Sequence, residues 1–119
     1  MTDLRVELPF PPSVNHYYRT FRGRILISKT GREYRQSVYA ATLEQLGLFP
    51  PFKTPLKAVV ELTPPDKRRR DLDNFAGKAL YDALQHANLY LDDSQIKEMH
   101  HYMLPPGEAK CVVLLSEIE

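Results

Sequence analysis

Residues 56–88 read LKAVVELTPPDKRRRDLDNFAGKALYDALQHAN, and within them the hydrophobic period changes from two to nearly four. Leu56, Ala58, Val60 and Leu62 alternate with Lys57 and Glu61, the pattern of a strand with one buried face. Pro64, Pro65 and Asp66 interrupt it. Phe75, Ala76, Ala79, Leu80, Ala83, Leu84 and Ala87 then form one apolar stripe, which predicts a helix from Phe75 to Ala87 with Asp73 or Asn74 as its cap and Asn88 as its stop. A strand and a helix separated by a charged segment point to an α+β fold.

Working outward, Leu4, Val6, Leu8 and Phe10 alternate with polar residues and predict a strand over 4–10, ended by Pro11, Pro12 and Ser13. Asn15 to Arg19 reads as a polar-aromatic loop, and Arg24 to Ile27 as a short strand. Ser28 and Thr30 are candidate caps for a helix from Gly31 to Leu46, in which Tyr34, Val38, Thr42 and Leu46 recur every fourth residue before Gly47 closes it. On the C-terminal side, Ile96 to Met103 reads as a strand and Pro105, Pro106 and Gly107 as a turn. The last strand, Lys110 to Ile118, carries apolar residues on both faces and is therefore placed centrally. The expected architecture is a small mixed β-sheet of about four strands with two main helices packed on it, as a single domain over residues 1–119.

Composition sets outer bounds. With 43% hydrophobic and 26% charged residues the chain has the makeup of a globular protein, not a disordered one. No apolar run approaches the roughly 20 residues of a membrane span, and MTDLRVELPF lacks the basic and apolar regions of a signal peptide. Cys111 is the only cysteine, so no internal disulfide forms and a cytoplasmic setting is expected; its apolar neighbours make it a buried strand residue. The net charge of +1 conceals a local asymmetry, because Lys67, Arg68, Arg69 and Arg70 run directly into Asp71-Leu72-Asp73. Basic residues also recur at Arg19, Arg22, Arg24, Lys29, Arg32 and Arg35, a pattern that fits a solvated face as well as a binding one.

If 71–73 is extended, Asp71 and Asp73 face one side with Cα atoms about 7 Å apart, close enough to share a divalent cation. Asp93, beyond the helix that Asp73 begins, offers a third carboxylate. Metal-bound carboxylates beside arginines suit a phosphodiesterase: the cation activates water, and the arginines hold flanking phosphates. The plainer reading, that Asp71 and Asp73 pair with Arg69 and Arg70 or cap the helix, fits the spacing too and is the commoner arrangement.

Longer segments narrow the choice. Leu8 to Asn15 with Tyr17-Tyr18-Arg19, Gly23-Arg24 through Ser28, Gly31 with Tyr34-Arg35, Asp66 through Asn74, Asp82-Ala83-Leu84 and Leu91 through Ile96 together resemble the RusA family of Holliday-junction resolvases. The resemblance covers nearly the whole chain in order. It implies a dimeric endonuclease that resolves four-way DNA junctions by paired symmetric nicks in recombination and repair. It also implies magnesium, with manganese as a substitute, held by Asp71, Asp73 and Asp93, and catalysis by these aspartates with Lys78. Asp92 then falls beside the site as a cap. The partners implied are branched DNA and a second copy, with no membrane, in a bacterial cell whose own genome or prophage encodes the protein.

One spacing departs from the family pattern. The family lysine follows the asparagine by three residues, whereas Lys78 follows Asn74 by four, although the interval from Lys78 to Asp82 is kept. An extra residue turns a helix by about 100°, so Lys78 faces the site only if the segment around Gly77 absorbs it. The resemblance places Ser13, Asn15 and His16 against DNA, with Lys67, Arg68, Arg69 and Arg70 on phosphates, while Asn15 also suits its own turn. His100 and His101, adjacent on a strand, face opposite sides and cannot share a metal. Tyr17 and Tyr18 fit base stacking or burial. Rival functions are a nuclease for other branched DNA and a junction-binding protein without catalysis; the latter would not need the three aspartates.

Overall fold

The structure, a computed structural model, describes residues 3–118. Its sheet is built from β1 (Asp3–Leu8), β4 (Leu56–Thr63), β5 (Ile96–Met103) and β6 (Lys110–Glu117) in the order β1-β6-β4-β5. The remaining strands, β2 (Tyr18–Phe21) and β3 (Arg24–Ile27), pair with each other as a separate antiparallel hairpin. β6 runs antiparallel to both of its neighbours, whereas β4 and β5 are parallel. The sheet is therefore mixed, and the doubly apolar C-terminal strand lies inside it as its composition predicts.

A parallel pair needs a crossover connection. Here it is α3 (Leu72–Phe75) followed by α4 (Lys78–His86), and this crossover carries the acidic motif. The long helix α2 (Lys29–Leu46) begins at Ser28, whose hydroxyl accepts the Gly31 N–H at 3.0 Å, and ends at Gly47 with φ 69°. Its stripe of Tyr34, Val38 and Thr42 is buried against the sheet, together with Ala79, Leu80, Ala83 and Leu84 of α4. The sheet answers with Leu4, Val6, Leu8, Leu56, Ala58, Val60, Leu62, Val113 and Leu115. Cys111 is part of this core, and burial pushes its thiol up to about 12, so it is an inert packing group.

Three elements differ from expectation. β1 stops at Leu8, opposite Cys111, although Phe10 continues its inward pattern; Pro9 has no N–H to extend the ladder, and Phe10 packs on Phe75 with ring centroids 5.4 Å apart. The segment expected as a loop at 15–19 contains a helical turn, α1 (Val14–Tyr17), and then β2. The helix expected as one piece from Phe75 to Ala87 is two pieces. Ala76 and Gly77 separate them, and neither Asp73 nor Asn74 is the cap: Asp71 precedes α3 and Gly77 precedes α4. A Cβ at Gly77 would lie 2.6 Å from the Asp73 carbonyl oxygen, so only glycine lets the chain turn this closely.

Candidate active site

The loop between β4 and α3 is held from within. Arg70, with a side chain only 11% exposed, donates to the Asp66 carboxylate at 3.0 Å and to the Arg68 carbonyl at 3.1 Å, and its guanidinium lies 5.6 Å from the Phe10 ring centroid. The Arg68 backbone N–H and then the Arg70 side chain hold the Asp66 carboxyl below the usual carboxylate range. Arg70, expected on phosphate, thus anchors the loop, while Arg68 and Arg69 project into solvent. Lys67 is exposed as well, but it lines a different recess with Pro64, Met103 and Pro106.

That anchoring removes the plainer reading of the acidic motif. Asp71 and Asp73 take no part in the ion pairs among the described residues, and Asp71, although placed at the start of α3, makes no capping bond with its side chain. Both carboxylates are exposed. They do not sit on an extended segment as expected: Asp71 is extended, but Leu72 to Phe75 is helical.

Asp71 opens onto a groove of about 540 Å³. Its walls are Arg68, Arg69 and Arg70 on one side and Ser13, Asn15 and His16 on the other. The predicted N-terminal loop and the arginine run, far apart in sequence, therefore face each other. Ser13 and His16 are tied by a 3.0 Å contact between Oγ and Nδ1, and Asn15 is exposed where this groove meets a second one of about 510 Å³ lined by Tyr18, Thr20, Ile25 and Lys78.

Lys78 is the first residue of α4, so the break at Ala76–Gly77 takes up the extra residue before the helix begins. Its ammonium lies 5.8 Å from the Tyr18 ring centroid and forms no ion pair with Asp82. Burial raises the Tyr18 hydroxyl, and the charges of Asp82 and Asp93 raise it further. Asp93 starts a 3-10 turn (Asp93–Gln95) beyond α4, with its N–H donating to the Gln85 side chain at 2.9 Å. Asp92 behaves as the predicted cap: it accepts the Ser94 N–H at 3.0 Å, the Gln95 side chain accepts the Asp92 N–H at 2.9 Å, and the Ser94 side chain and then its backbone N–H lower the Asp92 pKa.

Asp71, Asp73 and Asp93 therefore lie along one crossover, yet among the described residues no group of three or more His, Cys, Asp or Glu side chains is assembled to hold a metal ion. The donor chemistry does fit a hard cation. These are exposed carboxylates without counter-ions, and magnesium commonly takes one or two protein carboxylates and completes its shell with water and substrate phosphates.

Sequence reasoning missed a second cluster behind Lys78. The Asp82 carboxylate accepts from the Tyr17 hydroxyl at 2.5 Å and from Arg35 at 2.6 and 3.1 Å, and Arg35 also donates to the Tyr17 hydroxyl at 2.9 Å. Tyr17 is fully buried, which excludes it from stacking on bases. Burial, reinforced by Asp82, raises its hydroxyl and keeps it a donor. The cluster ties α1, α2 and α4 together. The sequence marked Asp82 through the resembling Asp82-Ala83-Leu84 segment and its interval from Lys78, but gave no sign that Arg35 is its partner.

Residues 9–115 match the family model described as Endodeoxyribonuclease RusA. The chain is 41% identical over 105 residues to the crossover junction endodeoxyribonuclease RusA of Escherichia coli strain K12, covering 88% of this chain and 86% of that protein. It is 42% identical over 108 residues to the corresponding protein of Enterobacteria phage 82, with the same coverage, and 41% identical over 105 residues to that of Shigella sonnei.

Proposed function

The chain belongs to the RusA family of endodeoxyribonucleases, and from that premise we propose that it cuts four-way DNA junctions by paired, magnesium-dependent nicks. The observation that carries the proposal is the groove in which Asp71, free of any ion pair, lies beside the exposed Arg68 and Arg69 and across from Asn15 and His16. A groove with only arginines would bind DNA without cutting it; one with only carboxylates would repel it.

In this reading Asp71, Asp73 and Asp93 hold magnesium, or manganese in its place. When bound, the ion supplies an activated water and neutralises charge on the scissile phosphate. Arg68 and Arg69 grip the neighbouring phosphates, Asn15 and His16 donate to the opposing strand, and Lys67 reaches a phosphate further along. Lys78, held over the Tyr18 ring, places a positive charge against the reacting phosphate. A junction has two-fold symmetry, so two sites related by a dimer axis match its two cut strands. The sheet face opposite the helices, with Val59 and Leu114 half-exposed, is available for that contact. Among the described residues no helix is long and apolar enough to cross a membrane, and the proposed setting is the bacterial cytoplasm, where recombination and repair present such junctions.

The test is cleavage of a mobile four-way junction in magnesium by the native protein and by Asp73→Asn. Symmetric paired nicks that vanish in the variant, with junction binding retained, support the proposal. Native protein that binds the junction but leaves it intact in both magnesium and manganese would be a binding protein, and the nuclease reading would fall.

A further inference from the structure

Away from the arginine groove, exposed apolar and unneutralised basic side chains meet on the β2–β3 hairpin. Phe21 is 51% exposed and Ile25 75% exposed. Pairing sets Phe21 opposite Arg24 on one face and Thr20 opposite Ile25 on the other. The turn between them is Arg22–Gly23, with φ 53° and 75°, a two-residue turn whose twist matches the strands it joins. The guanidinium groups of Arg19 and Arg22 lie 5.7 and 5.2 Å from the Phe21 ring centroid. None of the ion pairs among the described residues includes Arg19, Arg22 or Arg24.

Like charges gathered on a two-stranded projection repel one another until an anion joins them. An apolar tip alone would suit a protein partner, and a basic tip alone would suit any duplex. An aromatic ring framed by guanidinium groups suits a nucleotide whose base has left its stack: the base meets the ring and the flanking phosphates meet the arginines. Intact duplex offers no free base face, whereas a branch point does. The inner face of the same hairpin, through Tyr18, Thr20 and Ile25, walls the recess that contains Lys78, so the hairpin is continuous with the candidate site.

We propose that the β2–β3 hairpin is a second DNA contact, in which Phe21 stacks on an unstacked base at the branch point while Arg19, Arg22 and Arg24 hold the adjoining phosphates. The inference rests on the reading of this chain as a protein of branched DNA, and adds which part of the substrate the hairpin takes.

The chain has no tryptophan, so Phe21→Trp installs a single fluorescent reporter at an exposed position. Saturating it with a four-way junction in EDTA quenches the emission, and a linear duplex of the same length does not. Phe21→Ala weakens junction binding by about 5- to 150-fold, the range expected for losing one aromatic–base stack, and leaves duplex binding within about twofold. The double variant Arg22→Ala/Arg24→Ala weakens both and lowers the slope of log affinity against log salt by about 1.5 to 2. Emission unchanged at saturating junction, with Phe21→Ala binding as tightly as native protein, overturns the proposal. So does loss of self-association in Phe21→Ala with junction affinity intact, which would make the hairpin an interface between copies. Quenching without nicking removes the nuclease reading alone; nicking without quenching removes the hairpin contact alone.

Discussion

Asp82 and Asp93 stand at opposite ends of one short stretch of chain, and their surroundings could hardly differ more. Asp82, facing inward, already has its cation in Arg35 and two further hydrogen bonds from Tyr17 and the same guanidinium. Asp93, facing out, lends only its backbone to the fold, through the bond to Gln85. Asp66, paired with Arg70, repeats the first arrangement on a smaller scale; Asp92 is tied down by hydrogen bonds without a cation, and Asp71 and Asp73 repeat the second. A carboxylate whose charge is balanced inside the protein holds elements together and has little left for a ligand; one left unbalanced at the surface destabilises nothing and attracts cations.

The sharpest way to break this division is Asp93→Asn. Cleavage of a junction should fall by at least about a thousandfold, equivalent to roughly 4 kcal/mol of barrier, while the thermal midpoint stays within about a degree. A large loss of stability would instead place Asp93 with Asp82. The converse variant, Asp82→Asn, should cost about 2 kcal/mol by leaving Arg35 without its counter-ion, a fall in Tm of roughly 6–12 °C by calorimetry. Residual cleavage below the melting range should survive in that variant. Asp92→Ala, which removes a cap, should lower Tm by roughly 3 °C and leave nicking rates nearly unchanged, in contrast with its neighbour.

The smallest effect concerns His101. Burial, and then the nearby His100, lower its pKa, and its Nε2 meets the Tyr81 hydroxyl at 2.8 Å. The unfolded chain then takes up this proton before the folded one does, so the stabilisation is present above the ordinary histidine pKa of about 6.5 and is lost as pH falls below it. Thermal melts of native protein and His101→Gln between pH 7.5 and pH 5 should converge as the pH drops; parallel curves would show that His101 is not the responsible group.

Much of this was legible in advance. Leu4, Val6 and Leu8, Leu56 to Leu62, and Tyr34, Val38 and Thr42 wrote their burial into their spacing, since one buried face imposes a period. β2 was not legible, because Tyr18 to Phe21 is held by pairing with β3 and buries no alternating face. The break at Ala76–Gly77 was hidden by the apolar stripe, which passes through Phe75, Ala76 and Ala79 as if the helix were whole. That Asp71, the arginines and the segment from Ser13 to His16 belong together could be expected from the chain, and they do share one groove. That Arg70 anchors while Arg68 and Arg69 stay outside could not, because four adjacent basic residues are indistinguishable until a fold gives one of them Asp66 and Phe10 as neighbours. Nor could Arg35 and Asp82 be paired, since nothing local links positions 47 residues apart.

The joint at Ala76–Gly77 gives the crossover between β4 and β5 a tolerance that a continuous helix would lack. In an unbroken helix every added residue swings all that follows, so the side chain at Lys78 would be aimed by the length of what precedes it. Here α4 takes its bearing from its packed stripe of Ala79, Leu80, Ala83 and Leu84, and the glycine joint works as an expansion gap in a rail, where small changes of length close up without moving the track beyond. The turn that carries Asp71 and Asp73 and the helix that begins at Lys78 are in this way separately mounted parts, each set by its own contacts with the body of the protein.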